Sequence, residues 1–193
     1  DIIELVKNLK LPVRPHIVGH SMGGKIVMAL LLKRPELVNK AVVVDIAPVS
    51  YSQRDGGSHN RIIDFMANFD LSRLHSREEV KEAIQQHFRT ERSQQLFLKN
   101  IKKTSSGFEW KINHQVISKH FDEISGCPSL PNSTYNKEIL FIKGEQSNLI
   151  TGIECLQKEF PAARLIELPQ CGHWIHSEQP EKLAQAIRNF LLG

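Results

Sequence analysis
Cysteine is scarce: the 193 residues hold three, Cys127, Cys155 and Cys171, widely spaced and without a C-x-x-C pair. That spacing excludes a disulfide framework and a thiolate zinc site, and it fits reduced thiols. Long hydrophobic runs are missing too. The longest purely apolar stretch is residues 26–32, far short of the ~20 residues that span a bilayer, so no membrane span is expected. Neither charge sign dominates: 25 Lys and Arg stand against 21 Asp and Glu, a net charge of +4. Lys102-Lys103 is the one adjacent pair of lysines. Without a basic stripe to track phosphates, nucleic acid is not an expected partner. No secretory leader pattern, internal repeat or low-complexity tract is present. What remains is 40% apolar and 24% charged, an ordinary globular balance on a chain long enough for one domain with a lid.

The pattern along the chain changes twice. Residues 1–10 place Ile2, Ile3, Val6 and Leu9 on one helical face, and Pro12 and Pro15 break it. Residues 16–19 read as a short strand and 21–32 as a helix that Arg34-Pro35 stops. Residues 41–46, AVVVDI, are near-continuously apolar, as in a parallel strand buried on both faces. The first 46 residues thus read α-β-α-β. Residues 58–126 instead carry helical patterns, expected at 61–68, 77–88, 91–103 and 114–124, with Ser76 and Glu79 as a capping box. Residues 127–136, CPSLPNSTYN, are a turn-rich linker. Alternation then returns: strand 138–143, helix 149–160, strand 164–168, a loop at 170–176 and a last helix at 177–192 with Pro180 in its first turn. The expectation is one α/β domain over 1–193, a mostly parallel sheet flanked by helices, with a helical lid inserted at about 50–135.

Chemistry concentrates at the first strand-to-helix junction. Gly19-His20-Ser21-Met22-Gly23 fits G-x-S-x-G between a predicted strand and a predicted helix, the context that this nucleophile elbow requires. A sharp turn there lifts the Ser21 hydroxyl above the sheet edge. The flanking glycines let backbone pass closely. The Met22 N–H, at the positive end of the helix, is aimed at a developing oxyanion.

A serine hydroxyl needs a positioned base. Of nine histidines, His16 and His20 read as structural, and His59, His75, His87, His114 and His120 as solvated residues of the insertion. His173 lies in Cys171-Gly172-His173-Trp174, between the last strand and the last helix, where the Ser…acid…His order puts the base. Gly172 gives that loop freedom, and His176 is the weaker alternative. A third group must hold the imidazole tautomer and stabilise the imidazolium. Asp45 ends the strand AVVVD and is preferred. Glu145, in the loop after the strand at 138–143, is the alternative. Ser147 in the same loop is uncharged and suits a neutral hydrogen-bonding support for His173 or its partner.

Gly19-His20-Ser21-Met22-Gly23-Gly24-Lys25, followed by Asp45-Ile46-Ala47-Pro48-Val49, resembles one branch of the α/β-hydrolase superfamily. That branch holds mitochondrial alcohol (ethanol) acetyltransferases of yeasts, animal mitochondrial esterases and bacterial acyl esterases. The resemblance runs in order along the whole chain and rests on those two segments and the C-G-H-W loop. It implies Ser21 as nucleophile, His173 as base and Asp45 as acid. Where most enzymes of this fold carry the acid, this chain has Ser147. The resemblance further implies a mitochondrial location, and strands with a His-Gly oxyanion loop ahead of residue 1, making this a partial domain.

The function so implied is hydrolysis of an acyl ester or thioester, or acetyl transfer from acetyl-CoA to an alcohol, through an acyl-enzyme. No cofactor or metal is called for, and acetyl-CoA would be a substrate. Two alternatives stand beside it: an inactive fragment of such an enzyme, and other serine chemistry on the same fold, C–C bond hydrolysis or a haloperoxidase-like reaction.

Overall fold
The computed structural model describes residues 1–51, 58–105, 107–126 and 133–193. Cys127 and most of the linker expected at 127–136 lie outside them, as do the side chains of residues 58–61, His59 included. Up to Tyr51 the elements are α1 (Ile2–Asn8), β1 (Ile17–His20), α2 (Met22–Lys33) and β2 (Ala41–Val44). Next come α3 (Ser58–Asn68), α4 (Arg77–His87), α5 (Glu91–Lys99), β3 (Ile101–Thr104), β4 (Gly107–Trp110), α6 (His114–Lys119) and α7 (Phe121–Ser125). The chain closes with β5 (Ile139–Gly144), α8 (Glu154–Gln157), β6 (Ala163–Leu168), α9 (Ile175–Glu178) and α10 (Pro180–Leu192). These form two compact units, one of residues 1–51 and 125–193, the other of residues 52–124.

The first unit is built on a parallel sheet ordered β1-β2-β5-β6, so β2 and β5 are neighbours although they are far apart in sequence. All four residues of β2 are buried, which explains its unbroken β-branched run: a parallel strand with helices on both faces never meets water. Its side chains alternate between two cores. Val43 joins Met28 and Leu31 of α2 with Ile139, Phe141 and Phe160. Val42 and Val44 join Leu140 and Ile142 with Ile175, Leu183 and Phe190. Each large apolar side chain so buried contributes about 1.5–3 kcal/mol. Lys25 of α2 is buried among them. Its ammonium donates to the carbonyls of Val49, Ser125 and Gly126 and lies 4.8 Å above the Tyr51 ring. One cation thus satisfies carbonyls on both stretches that flank the second unit in sequence.

The second unit has its own core of Met66, Leu71, Val80, Ile84, Phe97, Ile101 and Phe108. Three of its helices, α4, α5 and α6, start on side-chain caps: Ser76 accepts from the Glu79 N–H, Thr90 from Ser93 and Asn113 from Val116.

The structure departs from the expected elements in four places. The helix expected over 91–103 ends at Lys99, and Ile101–Thr104 instead pairs antiparallel with Gly107–Trp110, so the insertion carries a hairpin that helical periodicity concealed. The helix expected at 114–124 is the two pieces α6 and α7. Of the helix expected over 149–160 only Glu154–Gln157 is helical, consistent with the low helix propensity of Thr151 and Gly152. The last helix is split at Gln179, whose backbone (φ −139°, ψ 56°) lies outside the helical region that a following proline disfavours.

Candidate active site
Each candidate sits just past the carboxyl end of a strand of the first unit: Ser21 after β1, Asp45 after β2, Glu145 and Ser147 after β5, and His173 in the loop after β6. Ligands of open parallel sheets gather at that edge because the chain reverses there and exposes helix N-termini.

Ser21 is the N-cap of α2 at φ 56°, ψ −122°. A β-carbon at Gly19 would lie 2.3 Å from the Gly23 carbonyl oxygen, so the turn admits only glycine there. The second crowded glycine is Gly24 rather than Gly23. A β-carbon at Gly24 would strike Ile46 and Val43, whereas Gly23 faces open space. Met22 is the first helical residue, and the N–H groups of a first turn have no intrahelical acceptor.

Asp45 is fully buried, also at positive φ (52°). Gly144 N–H donates to its Oδ1 at 3.1 Å and the Ser147 hydroxyl to its Oδ2 at 2.6 Å. The same Oδ2 lies 2.9 Å from His173 Nδ1, and His173 Nε2 lies 3.0 Å from Ser21 Oγ. An ionised carboxylate only accepts, so Nδ1 carries the proton and donates to Asp45. Nε2 is then a lone pair that accepts the Ser21 hydroxyl. Three candidates read from sequence thus lie in one hydrogen-bonded line, with Ser147 behind them as the neutral support.

Glu145 is not part of that line. Its Oε2 accepts the Gln170 N–H at 2.7 Å, at the start of the His173 loop. His176 packs edge-on against His20, ring centroids 4.9 Å apart. His16 is exposed ahead of β1, and in the second unit His75 and His87 are exposed while His114 and His120 are half-buried.

Sequence reasoning missed several supports. Glu178 accepts the Gly172 N–H at 2.6 Å, and His20 Nε2 lies 2.8 Å from the His173 carbonyl oxygen. The loop's glycine requirement falls on Gly144, where a β-carbon would lie 2.3 Å from the Gly172 carbonyl oxygen, and not on Gly172, whose φ is not positive. Four non-glycine residues among those described have positive φ: Lys10, Ser21, Asp45 and Gln170. Three of the four flank this constellation, which is where folded proteins hold backbone strain. Burial lowers the proton affinity of His20, and burial pushes the Cys171 thiol up, so that it stays protonated beside the site. Among the described residues no cluster of ligating side chains could hold a metal ion, and no helix is long and apolar enough to cross a membrane.

Known proteins resemble this chain in sequence and in fold. A family model described as alpha/beta hydrolase fold matches residues 1–180. The sn-1-specific diacylglycerol lipase ABHD11 of Danio rerio is 31% identical over 181 residues, covering 91% of this chain and 56% of the lipase. Esterase YbfF of Escherichia coli K12 is 32% identical over 176 residues, covering 90% of this chain and 66% of the esterase. The chain therefore spans between half and two thirds of the length of these relatives. The solved structure of a marine microorganism esterase superimposes with a TM-score of 0.90 at 31% identity, covering 98% of this chain and 74% of that protein.

Proposed function
The chain belongs to the α/β-hydrolase fold family, and on that premise we propose that it is a serine-type carboxylic-ester hydrolase working through Ser21, His173 and Asp45. The observation that carries this reading is the line from Asp45 Oδ2 through both His173 nitrogens to Ser21 Oγ, at 2.9 and 3.0 Å. A lipase and esterases among its relatives support the same class.

His173 Nε2 takes the Ser21 proton while Oγ attacks the carbonyl carbon of an ester or thioester. The carbonyl π pair moves to oxygen, and the oxyanion accepts from the Met22 N–H. Donors placed where charge develops are each worth roughly 10²–10³ in rate. Asp45 holds the imidazolium, its carboxylate kept in place by Gly144 N–H and the Ser147 hydroxyl. As the intermediate collapses, the bond to the leaving group breaks and that group takes the proton from His173 Nε2, leaving an acyl ester on Ser21. Water then gives a proton to His173 and attacks the acyl carbon. Collapse returns the proton to Ser21 Oγ and releases the acid. An alcohol in place of that water would make an ester instead, with acetyl-CoA as one acyl donor. The resemblance of the two N-terminal motifs to alcohol acetyltransferases supports that branch. That the helical insertion at about 50–135 serves as a lid stays a proposal, resting on its length and its own elements.

Fluorophosphonate labelling with peptide mapping tests the reading. One adduct, on Ser21 and absent from Ser21→Ala, is expected. No adduct, or one on another serine, would overturn it.

A further inference from the structure
The residue before the nucleophile is tied to the main chain of the base. His20 ends β1 and precedes Ser21, and its Nε2 lies 2.8 Å from the His173 carbonyl oxygen across 153 positions of sequence. A carbonyl can only accept, so Nε2 must carry the ring proton of a neutral His20. The ring is packed on the base loop, with centroids 4.7 Å from His173, 5.7 Å from Trp174 and 4.9 Å from His176.

Three other backbone bonds of that loop come from elsewhere. Glu145 takes the Gln170 N–H, the Gln146 N–H reaches the Cys171 carbonyl, and Glu178 takes the Gly172 N–H. Those three bonds tie the loop to the ends of β5 and α9. The bond from His20 ties it to the turn that carries Ser21.

We propose that His20 is a positioning residue for the base: its neutral, Nε2-protonated imidazole holds the His173 main chain to the nucleophile's own turn and so sets where His173 Nε2 meets Ser21 Oγ. This rests on the reading of Ser21 and His173 as nucleophile and base. Two features fit the task. The bond uses backbone on one side, so it persists whichever protonation state the His173 ring is in. The ring must also stay uncharged, because His173 becomes an imidazolium 4.7 Å away during the reaction. The titratable groups facing His20 are His173, His176 and Asp45. Burial, the largest influence, lowers the proton affinity of the ring; the bond to the His173 carbonyl opposes it, the charges of the two histidines add to it, and the Asp45 carboxylate opposes it.

The test uses four variants of the whole chain, with p-nitrophenyl acetate turnover, fluorophosphonate labelling and thermal unfolding measured on each. His20→Phe keeps a ring and loses the donor. kcat and the labelling rate should fall by ~10- to 100-fold, the cost of a misplaced reacting group, with KM and the unfolding midpoint unchanged. His20→Gln places an amide N–H at the same reach and should restore most of the rate. His20→Asn, one methylene shorter, should be as slow as the Phe variant. Ser21→Ala gives the background. Long-range proton–nitrogen NMR on the wild type should find His20 protonated at Nε2.

A Phe variant as fast as wild type, a Gln variant as slow as Phe, or a His20 protonated at Nδ1 would each overturn the proposal while labelling of wild-type Ser21 leaves the hydrolase reading standing. A wild-type Ser21 that takes no label would overturn both. If the Phe variant fails to unfold cooperatively, the Gln and Asn pair and the tautomer decide.

Discussion
Ser21 and Ser76 occupy the same position in two helices, one residue before the first helical turn, and they use it in opposite ways. Ser76, in the second unit, has extended backbone (φ −126°, ψ 158°), and its hydroxyl accepts the Glu79 N–H at 3.1 Å. The Glu79 carboxylate accepts the His75 N–H, and that bond, first among several, holds its carboxyl below the ordinary range. Ser21, in the first unit, has left-handed backbone and makes no cap bond; its hydroxyl meets His173 instead. A serine at an N-cap normally satisfies one orphan donor of the helix. In the elbow the matching Gly24 N–H donates to the Ser21 carbonyl oxygen at 2.8 Å instead, and the hydroxyl is left to meet the base. The same residue stabilises a helix in one region and gives up that role in the other.

This contrast can be broken by substitution. The largest effect is expected at Ser21→Ala: ester turnover should fall by ~10³- to 10⁶-fold. Thermal unfolding should barely change, because no cap bond is lost, and a clear drop in the unfolding midpoint would mean that the hydroxyl supports the helix after all. Next is Asp45→Asn, expected to lose ~10⁴ in kcat by disturbing the His173 tautomer. Glu145→Gln, whose amide oxygen can still accept from Gln170, should stay close to wild type in the same assay. The reverse ranking would move the acid to Glu145. Ser147→Ala removes a charge-assisted bond, of a kind worth about 1.5–3 kcal/mol, from the buried carboxylate and should lower kcat at least about ten-fold. Unchanged kcat would make Ser147 a bystander. Smallest is Ser76→Ala, about 1 kcal/mol in denaturant unfolding, with the rate of fluorophosphonate labelling unaffected. A loss of labelling there would show the second unit coupled to the chemistry.

How much was legible beforehand follows the range of the signal. G-x-S-x-G is local, and it marked Ser21 directly. Asp45 was marked by the end of a β-branched run and His173 by a short loop between two periodic segments, both local features, and the family resemblance added weight to each. The hairpin of β3 and β4 was not legible, because Ile101 follows Phe97 at helical spacing and so read as the end of the helix expected over 91–103, and pairing with a partner strand settles which period applies. Glu145 stood as the alternative acid because a carboxylate looks the same in sequence whether it holds an imidazole or a backbone N–H; in the structure it accepts the Gln170 N–H.

By itself the sequence determined the alternation of strands and helices, the elbow, and which side chains were chemically able to serve. These are short-range consequences of sterics, glycine placement and hydrophobic period. Only the tertiary structure decided which of those side chains meet. Ser21 and His173 are 152 positions apart, Asp45 and His173 are 128, Asp45 and Ser147 are 102, and Asp45 and the Gly144 N–H are 99. Their meeting depends on parallel register, Val44 beside Ile142 and Gly144 beside Leu168, which sets the strand ends level. That register is fixed by burial on both faces of the sheet, a property of the packed whole that no single segment carries.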